Sequence, residues 1–204
     1  MNETSPAPAP DTQLSDAAAP DTDTDDSLTG QLKPIRRAVL SLGSNVGDRL
    51  GNLQNAVDSL LDAPGIWGVA VSPVYETEPV GDSGGADLFL NAVLVVDTEM
   101  SGKTLLERCH AVEEAYGRGR SFEERRGPRR MDIDVITLAD RVLEDPEITL
   151  PHPRAHERAF VLRPWLDVDP EGSLPGRGKV ADLLGSLDSS GVRRRDDLEL
   201  ELPA

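Results

Sequence analysis

The chain has 204 residues, 38% of them hydrophobic, with 21 Lys and Arg against 37 Asp and Glu and a formal net charge of −16. This length suits one domain with tails, and the charge excludes a general binder of nucleic acid or of an anionic membrane. The single cysteine, Cys109, excludes an internal disulfide and a cysteine-rich zinc site. No apolar run reaches the ~20 residues of a membrane span, and no basic-then-apolar leader opens the chain, so a cytoplasmic protein is expected.

In chain order, residues 1–33 are mostly Pro, Ala, Asp and Thr, with negative charge at Asp11, Asp16, Asp21, Asp23, Asp25 and Asp26. Nothing large is available to bury, so a disordered acidic tail is expected. A folded domain is expected over 34–172. RRAVLSLGS reads as a strand. DRLGNLQNAVDSLLDA sets Leu50, Leu53, Val57, Leu60 and Leu61 at helical spacing, with Asp48 placed to cap it. WGVAVSPVYETEPV is β-rich and broken at Pro73, and LFLNAVLVVDT is an apolar strand. GKTLLERCHAVEEAYG puts Leu105, Cys109, Val112 and Tyr116 on one helical face, with Ser101 or Thr104 to start it and Gly117 to end it. MDIDVITL is a strand, and RVLEDPEITLPHP pairs with it or follows as another. The order β-α-β-β-α-β predicts an α+β fold, a ferredoxin-like sandwich with two helices packed on one face of an antiparallel sheet. Residues 173–204 read as a partly disordered C-terminal extension with a short helix at VADLLGSL.

RRGPRRMDIDVITL, residues 125–138, carries the strongest chemical signal. On a strand Asp132 and Asp134 share a face, ~7 Å apart, while Met131, Ile133 and Val135 turn to the core. Two like charges side by side favour a cation between them. Oxygen ligands without His or Cys favour Mg²⁺, which keeps waters and takes phosphate oxygens as further ligands. Taken alone, the pair also fits two solvated aspartates on an edge strand. The arginines shift the balance: Arg118, Arg120, Arg125, Arg126, Arg129 and Arg130 fall within thirteen residues, and guanidinium forks match phosphate oxygens. Together these point to a site for a metal-bound nucleotide polyphosphate.

Other segments are more ambiguous. SLGSNVGDR lacks the Lys-Ser/Thr ending of a P-loop and reads equally as a strand-to-helix turn or as a substrate lining. Thr77, Pro79 and Val80 can line an apolar pocket. Asn91, polar within an apolar strand, needs a partner, which a neighbouring loop or a heterocycle edge can supply. His152 lies in a rigid segment between Pro151 and Pro153, with Arg158 and Phe160 following.

The runs GSN, YETEPVG, FLNAV, RGR…RRGPRRMDIDVI and LPHPRAHERAFVL, in this order from Ala38 to Pro170, resemble the 6-hydroxymethyl-7,8-dihydropterin pyrophosphokinases of folate biosynthesis. The resemblance implies the same ferredoxin-like fold, and pyrophosphoryl transfer from ATP to the pterin hydroxymethyl oxygen with release of AMP. It implies two Mg²⁺ ions on Asp132 and Asp134, and catalytic and nucleotide-binding roles for Arg118, Arg120 and Arg129. Arg125, His152, Arg158 and the helix carboxylate Glu113 are implied as further nucleotide contacts. Gly43, Ser44, Asn45, Thr77, Val80, Asn91 and Phe160 are implied to form the pterin pocket, with Phe160 stacked on the ring. The partners expected are ATP and the pterin alone, on a monomer. Three positions depart from the family pattern: Arg126 stands where an aromatic residue is usual, the loop before Arg125 is a residue longer, and Phe89 replaces a tyrosine. A nucleotidyl transferase or cyclase on the same fold is the alternative enzyme, and a small-molecule-sensing regulatory domain the non-catalytic one.

Overall fold

β1 (Arg36–Ser44) is buried from Ala38 through Ser44 without a polar-facing break, the pattern of a strand covered on both faces. The computed structural model that shows this describes residues 33–78, 88–117 and 130–203. All but the last residue of the acidic tail expected over 1–33 lies outside them. After β1 come α1 (Arg49–Leu61), β2 (Ile66–Val71), β3 (Tyr75–Thr77), β4 (Phe89–Thr98), α2 (Gly102–Ala115) and β5 (Asp132–Leu138). Beyond these lie a hairpin of β6 (Leu143–Glu144) and β7 (Thr149–Leu150), a 3-10 turn (Ala155–Glu157) and α3 (Ala159–Val168). A second hairpin, β8 (Ser173–Leu174) and β9 (Gly178–Lys179), leads into α4 (Val180–Gly185) and β10 (Arg193–Arg194).

Both long helices start where the sequence provides an acceptor. The Asp48 carboxylate accepts from Gly51 N at 3.0 Å, and the Ser101 hydroxyl oxygen accepts from Thr104 N at 3.2 Å. Each satisfies an amide that the first helical turn leaves unpaired. α2 ends at Gly117, whose φ of +89° is costly for any other residue.

The main sheet is antiparallel in every pair, with β1 between β4 and β5. β2 and β3 share the outer side of β4, one on each half, because Pro73 interrupts what is otherwise one strand. On one face Ala38, Leu40, Leu42, Ile133 and Val135 pack against Leu53, Val57 and Leu60 of α1 and Leu105, Cys109 and Val112 of α2. Burial pushes the Cys109 thiol up to about 12, so it behaves as a small hydrophobe. On the other face Val39, Val93, Val95 and Ile136 pack against Val161, Leu162 and Trp165 of α3 and Val180 of α4.

Two helices on one face describes α1 and α2, but α3 and α4 cover part of the other. The sequence hid α3 because Pro164 sits inside it. Proline removes a helical hydrogen bond, and the buried stripe of Val161, Leu162 and Trp165 outweighs that loss. The residues after 172, expected as a partly disordered extension with a short helix at VADLLGSL, include α4 over Val180–Gly185. Leu200 is buried in the core, Leu198 and Leu202 pack beside it, and β10 pairs with β3. Gln54 holds Glu201 with both ends of its amide, at 3.0 and 2.9 Å.

Candidate active site

The face of the sheet that carries α3 and α4 is filled only over Val39, Val93, Val95 and Ile136. At its other end the register sets Gly43 opposite both Asn91 and Asp132, with Ser41 opposite Asp134. Residues opposite each other in an antiparallel pair share a face, so Asn91, Gly43 and Asp132 form one row across three strands. Tyr75 extends that row on β3. A Cβ at Gly43 would stand 3.5 Å from Asn91 Oδ1 and 3.9 Å from both Asp132 Cβ and Phe89 Cδ1. The missing side chain therefore opens a recess bounded by an amide oxygen, an aromatic ring and the first aspartate.

Asn91 is buried and donates from Nδ2 to Thr77 Oγ1 at 2.8 Å. That bond meets the need of a buried amide and also aims its oxygen over Gly43. Asn45, at the end of β1, is buried as well. Ser44, implied for the pterin pocket by the resemblance, is the last residue of β1. It alternates onto the α1 face, is fully buried, and its hydroxyl oxygen accepts from Asn52 Nδ2 at 3.1 Å; only its main chain is left to face the recess. Val80 lies outside the described residues.

On β5, Asp132 and Asp134 share the open face while Ile133 turns into the core, as period-two alternation requires. Arg158, just before α3, donates from Nη1 to Asp134 Oδ2 at 2.6 Å. Its guanidinium carbon also lies 5.7 Å from the centroid of the Phe160 ring, within cation–π range. His152 Nε2 is 3.9 Å from the same Asp134 oxygen. His152 N donates to Ile136 O at 2.8 Å, which fastens this segment to β5, and Nδ1 accepts from Arg154 N at 3.1 Å. With Nδ1 accepting, the neutral ring carries its proton on Nε2, facing Asp134. Burial holds the His152 pKa below its usual value, and the neighbouring Arg158 adds to that against the pull of Asp134.

Glu113 is placed behind the pair. It is buried on α2, and its Oε1 accepts from the amide of Ile133, between the two aspartates, at 2.8 Å. Arg118, Arg120, Arg125 and Arg129 lie outside the described residues. Among the described residues no group of three or more His, Cys, Asp or Glu is placed to hold a metal ion. Asp132 and Asp134 offer only carboxylate oxygens on this face, the ligand type that a hard cation takes.

Three further residues bear on the recess. Phe89 was noted only for the hydroxyl it lacks, yet its ring borders Gly43. Tyr75, facing the row, donates its hydroxyl to Asp167 Oδ2 at 2.5 Å. Arg49 donates to Glu76 Oε1 at 3.1 Å and to Leu88 O at 2.7 Å. Phe89 was within reach, because its period-two partner Asn91 had already been singled out. Nothing in the sequence pairs Arg49 with residues 27 and 39 positions away.

Residues 39–170 match the family model of 7,8-dihydro-6-hydroxymethylpterin-pyrophosphokinase (HPPK). A 2-amino-4-hydroxy-6-hydroxymethyldihydropteridine pyrophosphokinase of Methylorubrum extorquens is 44% identical over 158 residues, 78% of this chain and 98% of its own. One from Mycobacterium tuberculosis is 40% identical over 181 residues, 82% of this chain and 91% of its own. Among solved structures, Plasmodium falciparum HPPK-DHPS with pteroate aligns with a TM-score of 0.57 at 15% identity. That alignment covers 76% of this chain and 43% of the Plasmodium one, and it speaks for the fold alone. On the extent of the family match and the identity to these relatives, the chain belongs to the 7,8-dihydro-6-hydroxymethylpterin-pyrophosphokinase family.

Proposed function

We infer that the chain carries out its family's reaction, pyrophosphoryl transfer from ATP to the hydroxymethyl oxygen of 6-hydroxymethyl-7,8-dihydropterin with release of AMP, in folate biosynthesis. The observation that carries this reading is the shared row on the sheet. The recess at Gly43 and Asn91 and the carboxylate of Asp132 are neighbours on one open face, so an acceptor in the recess lies beside the carboxylates that would hold the donor's metal.

The strand order β5–β1–β4 with β2 and β3 outside it, antiparallel throughout and with α1 and α2 on one face, supports a ferredoxin-like sandwich. The pterin sits in the recess, with its ring between Phe89 and Phe160 and its polar edge at Asn91. Asp132 and Asp134 are the residues that would hold two Mg²⁺ ions, whose chemistry when bound would be to neutralise the polyphosphate charge and polarise the β-phosphorus. Arg158 and His152 Nε2–H face Asp134 from the α3 side and supply donors to phosphate oxygens. Arg118, Arg120, Arg125 and Arg129 supply further donors. The hydroxymethyl oxygen forms a bond to the β-phosphorus as the bond to the bridging α,β oxygen breaks, and AMP departs with that electron pair. His152 is a poor proton acceptor because its Nδ1 already accepts from Arg154 N. Among the described site residues, that leaves the two carboxylates to take the hydroxymethyl proton. The chain's part is positioning and charge neutralisation. The protein acts as a cytoplasmic monomer with small-molecule partners only; no helix among the described residues is long and apolar enough to cross a membrane.

The test is chromatography of ATP incubated with the reduced pterin, Mg²⁺ and the purified chain. AMP and a pterin pyrophosphate are expected. Pyrophosphate release would point to a nucleotidyl transferase or cyclase, and no turnover to a sensing domain.

A further inference from the structure

β3 spans only three residues, yet it carries Thr77 against Asn91 and Tyr75 beside it. A strand this short has little ladder of its own, so its position depends on what grips it. The grip comes from the opposite face, through Glu76. Its Oε1 accepts from Arg49 Nη1 at 3.1 Å and from Arg195 Nη1 at 3.0 Å, and its side chain is only 14% exposed. The two guanidiniums arrive from unrelated parts of the chain. Arg49 is the first residue of α1, and Arg195 follows β10, whose Arg193 and Arg194 pair with Glu76 and Tyr75. Arg195 is itself held: its N donates to Val74 O at 2.9 Å, and Asp197 takes its Nε and Nη2 at 2.9 and 2.7 Å. Arg49 makes one more bond, to the carbonyl of Leu88 at 2.7 Å, immediately before Phe89. One guanidinium thus ties the end of β3 to the start of β4, the two strand ends that carry Thr77, Phe89 and Asn91.

We propose that Arg49 is a positioning residue for the acceptor recess: with Arg195 as second anchor it fixes Glu76, and through the β3 backbone fixes Thr77 against Asn91. The proposal rests on the functional reading above. Arg49 acts through Glu76 and Leu88, the two groups its guanidinium meets. Both of its bonds leave from Nη1, so one nitrogen on a long side chain reaches a carboxylate and a carbonyl at once. Freeing β3 turns part of the pterin's binding free energy to ordering the recess, an expense that appears in pterin affinity and leaves the metal side untouched.

The experiment is steady-state kinetics on the full chain, varying pterin at saturating MgATP and the reverse, for wild type, Arg49→Ala, Arg49→Lys and Arg195→Gln. Arg49→Ala is expected to raise the KM for pterin about 10-fold while kcat and the KM for ATP stay within about twofold. Arg49→Lys should recover part of the loss, and Arg195→Gln should raise the pterin KM in the same direction by less. An unchanged pterin KM in folded Arg49→Ala overturns the proposal, as does a parallel rise in both KM values. Should Arg49→Ala fail to fold, Arg195→Gln with an unchanged pterin KM overturns it instead. Absence of AMP from the wild type would defeat the functional reading, whereas AMP from the wild type with unmoved variants defeats only the role of Arg49.

Discussion

Replacing Asp134 by asparagine removes the anionic ligand proposed for the metal and takes from Arg158 the carboxylate it meets at 2.6 Å. Asp134 is partly exposed on the open face, so the fold loses little by the change. Turnover is expected to fall by orders of magnitude with an unchanged circular dichroism spectrum, and near-wild-type turnover at saturating Mg²⁺ would remove Asp134 from the metal site. His152 gives a pH-dependent prediction. Its folded pKa is held below the usual ~6.5, chiefly by burial. Below that pH the unfolded chain takes up a proton that the folded ring resists, so stability rises with pH toward ~6.5 and falls as pH drops through the folded value. His152→Gln should flatten this part of a plot of Tm against pH between pH 5 and 7; a slope as steep as the wild type's would assign it to another group.

At the scale of elements, β5 is an edge strand, and its outward amide at Ile133 is satisfied by the helix carboxylate of Glu113. Leaving such an amide buried and unpaired costs about 1–3 kcal/mol. Denaturant melts should show Glu113→Ala destabilised by about that amount and Glu113→Gln, which keeps an acceptor, by clearly less. Equal losses would mean that the bond to Ile133 is not what matters. The elements legible in the sequence were those with period and caps of their own. The α1 stripe with Asp48 before it, the α2 stripe between Ser101 and Gly117, and the alternation of Asp132 and Asp134 are local patterns. α3 was illegible because its internal proline signals a break when tertiary packing is out of view. The recess was half legible. Asn91 stood out as a polar residue in an apolar strand, while the opposite facing of Ser44 and the reach of Arg49 depend on pairings across dozens of residues.

At the scale of the whole molecule, the C-terminal segment closes the fold over α1. Leu200 is buried to 6% exposure, so Leu200→Ala should cost about 2–3 kcal/mol. For a chain of this size that lowers Tm by roughly 5–10 °C, measurable by calorimetry, with both KM values unmoved. A loss under ~0.5 kcal/mol, typical of a surface change, would return the segment to the status of a loose tail. The two faces of the sheet also differ in how freely they can vary. α1 and α2 seal one face along its length, whereas α3 and α4 cover the other only over Val39, Val93, Val95 and Ile136. Leu40 and Leu42 therefore belong to the packed core, whereas Phe89 and Thr77 belong to neither apolar cluster. On the proposed function, a substitution at Phe89 would reshape the acceptor recess while leaving both apolar clusters intact.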